Sequence, residues 1–185
     1  MPIVAKDEQK VFHLQPAGNQ QAVCYDVWDI GIQEIEWKGE KKYQHKIIIG
    51  FELEERIASD DDMNGQKYKI HRRYTLSLGD KSNLAKDLTS WRGRAFTKEE
   101  KTGFDVEKLV GVNCMLSVIH GVSPFTGKEL AKISAITALP KGLPKITSET
   151  PRSMPDWVKE LQAKAKEPAA EPVEVVEEAA EEIPF

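Results

Sequence analysis

Apolar residues return at every second position between residues 42 and 55. Tyr43, His45, Ile47, Ile49, Phe51 and Leu53 share one face, and Gln44, Lys46, Ile48 and Gly50 take the other. A period of two reads as a strand with one buried face. The alternation recurs at 22–33, with Val23, Tyr25 and Val27 opposite Cys24, Trp28 and Ile30, and with Gly31 as a bulge or bend point. Trp37-Lys38-Gly39-Glu40 is turn chemistry, so the two stretches form a hairpin. A third strand is expected over 67–78, with Tyr68, Ile70, Tyr74, Leu76 and Leu78 facing inward and Lys67, Lys69, His71, Arg73, Thr75 and Ser77 facing out. The Asp/Gly-rich stretch Ser59 to Gly65 before it reads as a solvated loop.

A helix follows near 82–92, with Ser82 as its cap and Leu84, Leu88 and Trp91 on one face. Thr97-Lys98-Glu99-Glu100 fits a capping box for a second short helix, and Val106 to Val110 can add a turn. Alternation resumes at 112–120 (Val112, Cys114, Leu116, Val118, His120) and at 130–139 (Ala131, Ile133, Ala135, Thr137, Leu139), joined through a hairpin loop with Pro124 and Gly127. Three strands, helices and two more strands is the order of an OB-fold, so a mainly β, five-stranded OB-fold barrel is expected, with its helices between strands three and four. Residues 1–20 read as an N-terminal arm and 21–140 as the barrel. Residues 141–166, rich in Pro, Lys and Ser, read as a linker carrying one amphipathic helix (Trp157, Val158, Leu161), and 167–185 as a disordered tail.

Charge is segregated along the chain. All 26 Lys and Arg lie before residue 167, whereas the last nineteen residues hold seven glutamates and no base. Within 67–94, Lys67, Lys69, Arg72, Arg73, Lys81, Lys86, Arg92 and Arg94 face only Asp80 and Asp87. A basic body on an acidic tether points to polyanion binding, which the formal net charge of -4 conceals.

A single nucleic-acid strand offers spaced phosphates and bare π-faces, so binding it without sequence choice needs spaced cations and flat rings. On the third strand Lys67, Lys69, His71 and Arg73 share one face at roughly 7 Å intervals, near the phosphate repeat of an extended strand. Lys42 and Lys46 would continue that groove across strand two, and Trp37, Tyr43, Trp28 or Phe125 could supply the rings. Arg92 and Arg94, around Gly93, form a second basic knot between Trp91 and Phe96. Each set also has a plainer explanation, a solvated strand face or a helix terminus with core aromatics. Arg72 lies on the apolar parity of its strand and is expected to pair internally.

The terminal Glu181-Glu182-Ile183-Pro184-Phe185 combines an aromatic carboxylate with acidic neighbours, material suited to a partner's pocket with a basic rim. Bacterial and phage single-stranded DNA-binding proteins end this way, and the chain resembles them. Over about residues 20–140, Lys81-Ser82-Asn83-Leu84, Trp91-Arg92-Gly93-Arg94-Ala95-Phe96 and Leu109-Val110-Gly111 are similar to a group of small phage proteins regarded as single-stranded DNA-binding proteins with an OB-fold. The body lacks the ordinary bacterial pattern, and the tail is rich in glutamate where the bacterial one is rich in aspartate.

The resemblance implies a protein that coats single-stranded DNA during phage replication or recombination and recruits replication or recombination proteins through its tail. It implies no cofactor and a host cytoplasmic location. Should the chain form a homo-oligomer, a dimer is expected before a tetramer. The competing expectation is a protein-interaction module that inhibits or assists a nuclease or helicase. No catalytic constellation stands out. His13, His45, His71 and His120 are scattered, Cys24 and Cys114 sit in apolar strands as reduced core thiols, and Asp60-Asp61-Asp62 lacks the later glutamate of a calcium loop. No apolar run approaches membrane-spanning length.

Overall fold

The computed structural model describes residues 11–166. In chain order the elements are β1 (Gly18–Trp37), β2 (Glu40–Arg56), β3 (Lys67–Thr75), α1 (Asn83–Arg92), α2 (Lys98–Thr102), a 3-10 turn (Val106–Leu109), β4 (Asn113–Val122), β5 (Glu129–Ala138) and α3 (Asp156–Ala163). The strands form one antiparallel five-stranded sheet in the order β3-β2-β1-β4-β5. Among the described residues no helix is long and apolar enough to cross a membrane.

The expected five-stranded barrel is not closed: β3 and β5 are the two edges of the sheet, and no ladder joins them. Side chains occupy the seam instead. Arg72 of β3 donates to the Ile133 carbonyl of β5 at 3.0 Å and pairs with Asp87 of α1 at 3.2 Å. Gln15 of the N-terminal arm donates to the Lys69 carbonyl on β3's free edge, and its own carbonyl faces His120 of β4 at 2.7 Å. Backbone groups that a barrel would pair with each other are met by an arginine and an arm.

One face of the sheet builds the main core. Cys24, Val27, Ile47, Ile49, Phe51, Leu53, Ile70, Leu116 and Ile136 pack there against Leu84, Leu88 and Trp91 of α1. Helix α1 starts where Ser82 Oγ accepts from the Ala85 amide and ends at Gly93, whose φ of 73° suits a residue without Cβ. Strict alternation fails at two places. In β1 an extra residue at Tyr25 leaves Cys24 and Val27 on the core face while Tyr25, Trp28 and Ile30 turn to the other face. In β5 a shift opposite Ser117/Val118 buries Ile133 and Ile136 together, where unbroken alternation had put Ala135 and Thr137 inward. The second bulge of β1 falls at Gly31, as its position suggests, with φ of 69°. Cys24 and Cys114 are free and buried, and burial first, then Asp26, pushes the Cys24 thiol up to about 12.

Residues 141–166 do not behave as a linker. The segment folds back across the outer face of β1 and β2 and is held there by two buried carboxylates. Glu52 accepts from the Glu149 and Thr150 amides and from the Ser148 and Thr150 hydroxyls. Asp26 accepts from Arg152 at 2.9 Å and from the Ser153 amide at 3.1 Å. Helix α3 then packs Val158, fully buried, against Tyr25, Trp28, Ile30 and Ile48, and Lys166 pairs with Ile32 in an isolated bridge. This strap covers the apolar group that Tyr25, Trp28, Ile30 and Ile48 form on the outer face of the sheet.

Candidate nucleic-acid interface

The outward face of β2 and β3 is set by register: Lys46 lies opposite Thr75, Ile48 opposite Arg73, Gly50 opposite His71 and Glu52 opposite Lys69. The expected row of four outward cations on β3 is therefore present as backbone geometry, but its members have different surroundings. Lys67 is buried, its Nζ 2.7 Å from Glu54 and 3.8 Å from Glu149. The expectation of Lys67 as an open cation is thus corrected: Glu54 of the neighbouring strand β2 pairs with it directly, and the strap adds Glu149 at longer range.

His71 stands inside an aromatic group. Its Nε2 is 2.6 Å from the Tyr25 hydroxyl, and its ring lies 5.5 Å from Trp28 and 5.1 Å from Trp157. Desolvation by these rings, and then the Lys69 ammonium, hold its pKa below the ordinary imidazole value. One edge stays exposed to solvent, so His71 is a neutral spacer in the row near neutral pH and not a phosphate clamp. Gly50 beneath makes this packing possible, since a Cβ there would fall 2.9 Å from the Tyr25 ring and 3.0 Å from Trp28.

Ion pairing sorts the remaining basic residues. Arg72 pairs with Asp87, and Arg92 and Arg94 both pair with Glu100 at 2.6 and 2.9 Å. Glu100 is also the third residue of α2's capping box and accepts from the Thr97 amide. Arg94, the Thr97 amide and Arg92 together hold the Glu100 carboxyl down at about 2. Arg92 lies 4.2 Å over Phe96, with Nη1 buried and lacking a hydrogen-bond partner. The knot at 92–94 is therefore a staple between α1 and α2. Both arginines are engaged by Glu100, Arg92 largely buried and Arg94 mostly exposed, and the expectation that they extend the β3 groove has to reckon with that ion pair.

Lys69, Arg73, Lys81 and Lys46 are different: among the described residues none has an acidic partner within ion-pair distance. Lys46, Arg73 and Lys81 line one open cleft of about 570 Å³ together with Gln44, Thr75 and Ser77. The only carboxylate there, Asp80, is 2.6 Å from Lys101, whose ammonium holds its carboxyl below the usual range. Lys46 donates to Thr75 Oγ1 at 2.7 Å, and desolvation, followed by Arg73, lowers its pKa. Two cations set together without an acid raise each other's free energy, and a bound anion would relieve that repulsion. Hydroxyl and amide groups beside them add donors for phosphate oxygens.

Beyond the cleft the β1–β2 hairpin projects, turned by Lys38 and Gly39 with φ of 51° and 80°. Trp37 and Tyr43 on it are each 57% exposed. Lys42 is exposed there, and its neighbour Lys41 pairs with Glu34 at 3.1 Å. Phe125, in the β4–β5 turn, is 94% exposed. Trp28, by contrast, is core, its indole N–H donating to the Ser153 carbonyl. Sequence reasoning missed Lys81, Gln44 and Ser77 as cleft residues and Trp157 as a neighbour of His71. The β3–α1 connection carrying Lys81 gives no periodic signal. Glu181, Glu182, Ile183, Pro184 and Phe185 lie outside the described residues. No protein-family model matches the chain, and no curated protein matches its sequence.

Proposed function

We propose that this protein binds single-stranded DNA along the β2–β3 outer face, with the Lys46–Arg73–Lys81 cleft taking phosphates and the hairpin rings of Trp37 and Tyr43 taking bases. The observation that carries the reading is the convergence of three cations, none ion-paired among the described residues, on one cleft whose lining acid, Asp80, is held by Lys101. The strand order and the placement of the helices between β3 and β4 fit an OB-type body, opened at the β3/β5 seam. Backbone contacts and stacking need no base-edge donors, so binding is sequence-tolerant. A duplex keeps its rings stacked out of reach and binds more weakly.

In this reading the protein coats single strands exposed in replication or recombination. The acidic tail, by charge and by its terminal Ile183-Pro184-Phe185, recruits a protein partner with a basic-rimmed apolar pocket. The test is fluorescence anisotropy of a labelled oligo(dT) at low salt, with a duplex of equal length as comparison. Binding of the single strand in preference to the duplex supports the proposal. Equal binding, or none, refutes it.

A further inference from the structure

The four tryptophans divide into two kinds. Trp28 and Trp91 are 3% and 5% exposed, and each donates its indole N–H to a backbone carbonyl, of Ser153 and of Asn113, both at 2.8 Å. Trp37 and Trp157 are 57% and 39% exposed, and neither indole N–H has a hydrogen-bond partner among the described residues. Trp37 sits on the hairpin. Trp157 sits in the first turn of α3, a helix whose anchoring is already supplied by its neighbour Val158, fully buried in the Tyr25–Trp28–Ile48 group.

Trp157 is nonetheless held in place. Its ring meets Trp28 edge-on at 5.8 Å and 76° and leans on His71 at 5.1 Å. The His71 ring is fixed in turn by the Tyr25 hydroxyl. The strap before the helix is latched by Asp26 to Arg152 and Ser153. Lys69 and Arg73 stand two residues either side of His71 on the same face of β3, each roughly 7 Å along the strand, and neither has an acidic partner among the described residues. A part-open indole held against His71, whose strand neighbours Lys69 and Arg73 carry no ion pair among the described residues while Lys69 lies 5.9 Å over the Tyr25 ring, has the composition of a stacking platform.

We propose that Trp157 is a nucleobase-stacking subsite, with Lys69 and Arg73 meeting the phosphates on either side of the stacked base. This rests on the single-stranded DNA reading above, and it makes the C-terminal strap part of the binding surface. Its ligand is any unpaired base, since every base offers a π-face.

The test uses the full chain carrying Trp37→Phe, in which Trp157 is the sole exposed tryptophan. Titration with oligo(dT) is followed by indole emission, and anisotropy of labelled oligo(dT) is read in parallel. Emission is expected to be quenched in W37F and unquenched in the W37F/W157F double variant, whose remaining indoles are buried. Trp157→Ala is expected to weaken binding by about 5- to 150-fold, the range for one lost base stack. Binding by anisotropy without any quenching in W37F overturns the subsite and leaves the single-strand reading standing. So does a W157A protein with parental affinity and parental circular dichroism. Should W157A fail to fold, the W37F quenching decides. An unmodified chain that gives no anisotropy change at low salt overturns the single-strand reading, and the subsite with it.

Discussion

Replacing Glu52 with Ala tests whether the C-terminal strap belongs to the folded body. The carboxylate is fully buried on β2 and accepts from four donors: the Glu149 amide at 2.9 Å, the Thr150 amide at 2.9 Å, the Ser148 hydroxyl at 3.2 Å and the Thr150 hydroxyl at 2.5 Å. Burial raises its pKa, but the hydrogen bonds from Thr150, Glu149 and Ser148 outweigh burial and leave it below the ordinary value. A hydrogen bond to a charged acceptor contributes about 1.5–3 kcal/mol, and donors stranded by its removal cost about 1–3 kcal/mol each unless water reaches them. The four share one acceptor and the strap can partly rehydrate, so full additivity does not hold. A loss of about 3 kcal/mol is expected, with Glu52→Gln losing roughly half because its amide nitrogen cannot accept. For a body of this size that corresponds to a fall in Tm of about 6–12 °C. Urea unfolding measures the loss, and limited proteolysis shows whether cleavage moves into 146–166. A loss below about 1 kcal/mol, with the segment still protected, refutes the anchoring role.

The His71 shift sets a pH dependence. Its folded pKa lies near 4 against an ordinary 6.5, so between those values the unfolded chain binds more protons, and stability falls as pH drops through that window. Comparison of urea midpoints at pH 6.5 and 4.5 should show a smaller decline for His71→Gln; an identical decline contradicts it. Gly50→Ala places a Cβ against Tyr25 and Trp28, and should lower stability by about 1–3 kcal/mol and alter the near-ultraviolet dichroism of Trp28; an unchanged spectrum counts against it. Deleting residues 167–185 removes seven glutamates that can compete for the basic cleft, and should tighten oligo(dT) binding at low salt but not at high salt. Weaker or unchanged low-salt binding refutes self-competition.

Local chemistry was legible in the sequence. The Lys38-Gly39 turn, the Ser82 cap, the Thr97–Glu100 capping box and the Gly31 bulge each depend on residues within a few positions of one another. Face assignment was legible only until a bulge intervened: nothing in Cys24-Tyr25-Asp26 declares that Tyr25 is the extra residue, yet that insertion sends Tyr25 and Trp28 to the outer face. Pairing over long separations was also hidden. Lys67 finds Glu149, and the strap finds Asp26 and Glu52, through contacts about a hundred residues apart. One signal was available: a lone acid inside an apolar strand, as in Phe51-Glu52-Leu53, requires donors from elsewhere. The candidate site was legible as a row of cations on β3, but which of them stay free depends on acids supplied by β2 and by the strap.

The central claim is that acid-free cations on the β2–β3 face, and not the ion-paired ones, hold a single strand. The salt dependence of oligo(dT) affinity measures their number directly. Engagement of Lys46, Lys69, Arg73 and Lys81 gives a slope of log K against log salt of about -2.8, at roughly 0.7 per phosphate neutralised on a single strand. Arg73→Ala should bring it to about -2, whereas Arg94→Ala, whose guanidinium is bound to Glu100, should leave it unchanged. A slope near zero, or equal shifts from Arg73→Ala and Arg94→Ala, would contradict the account.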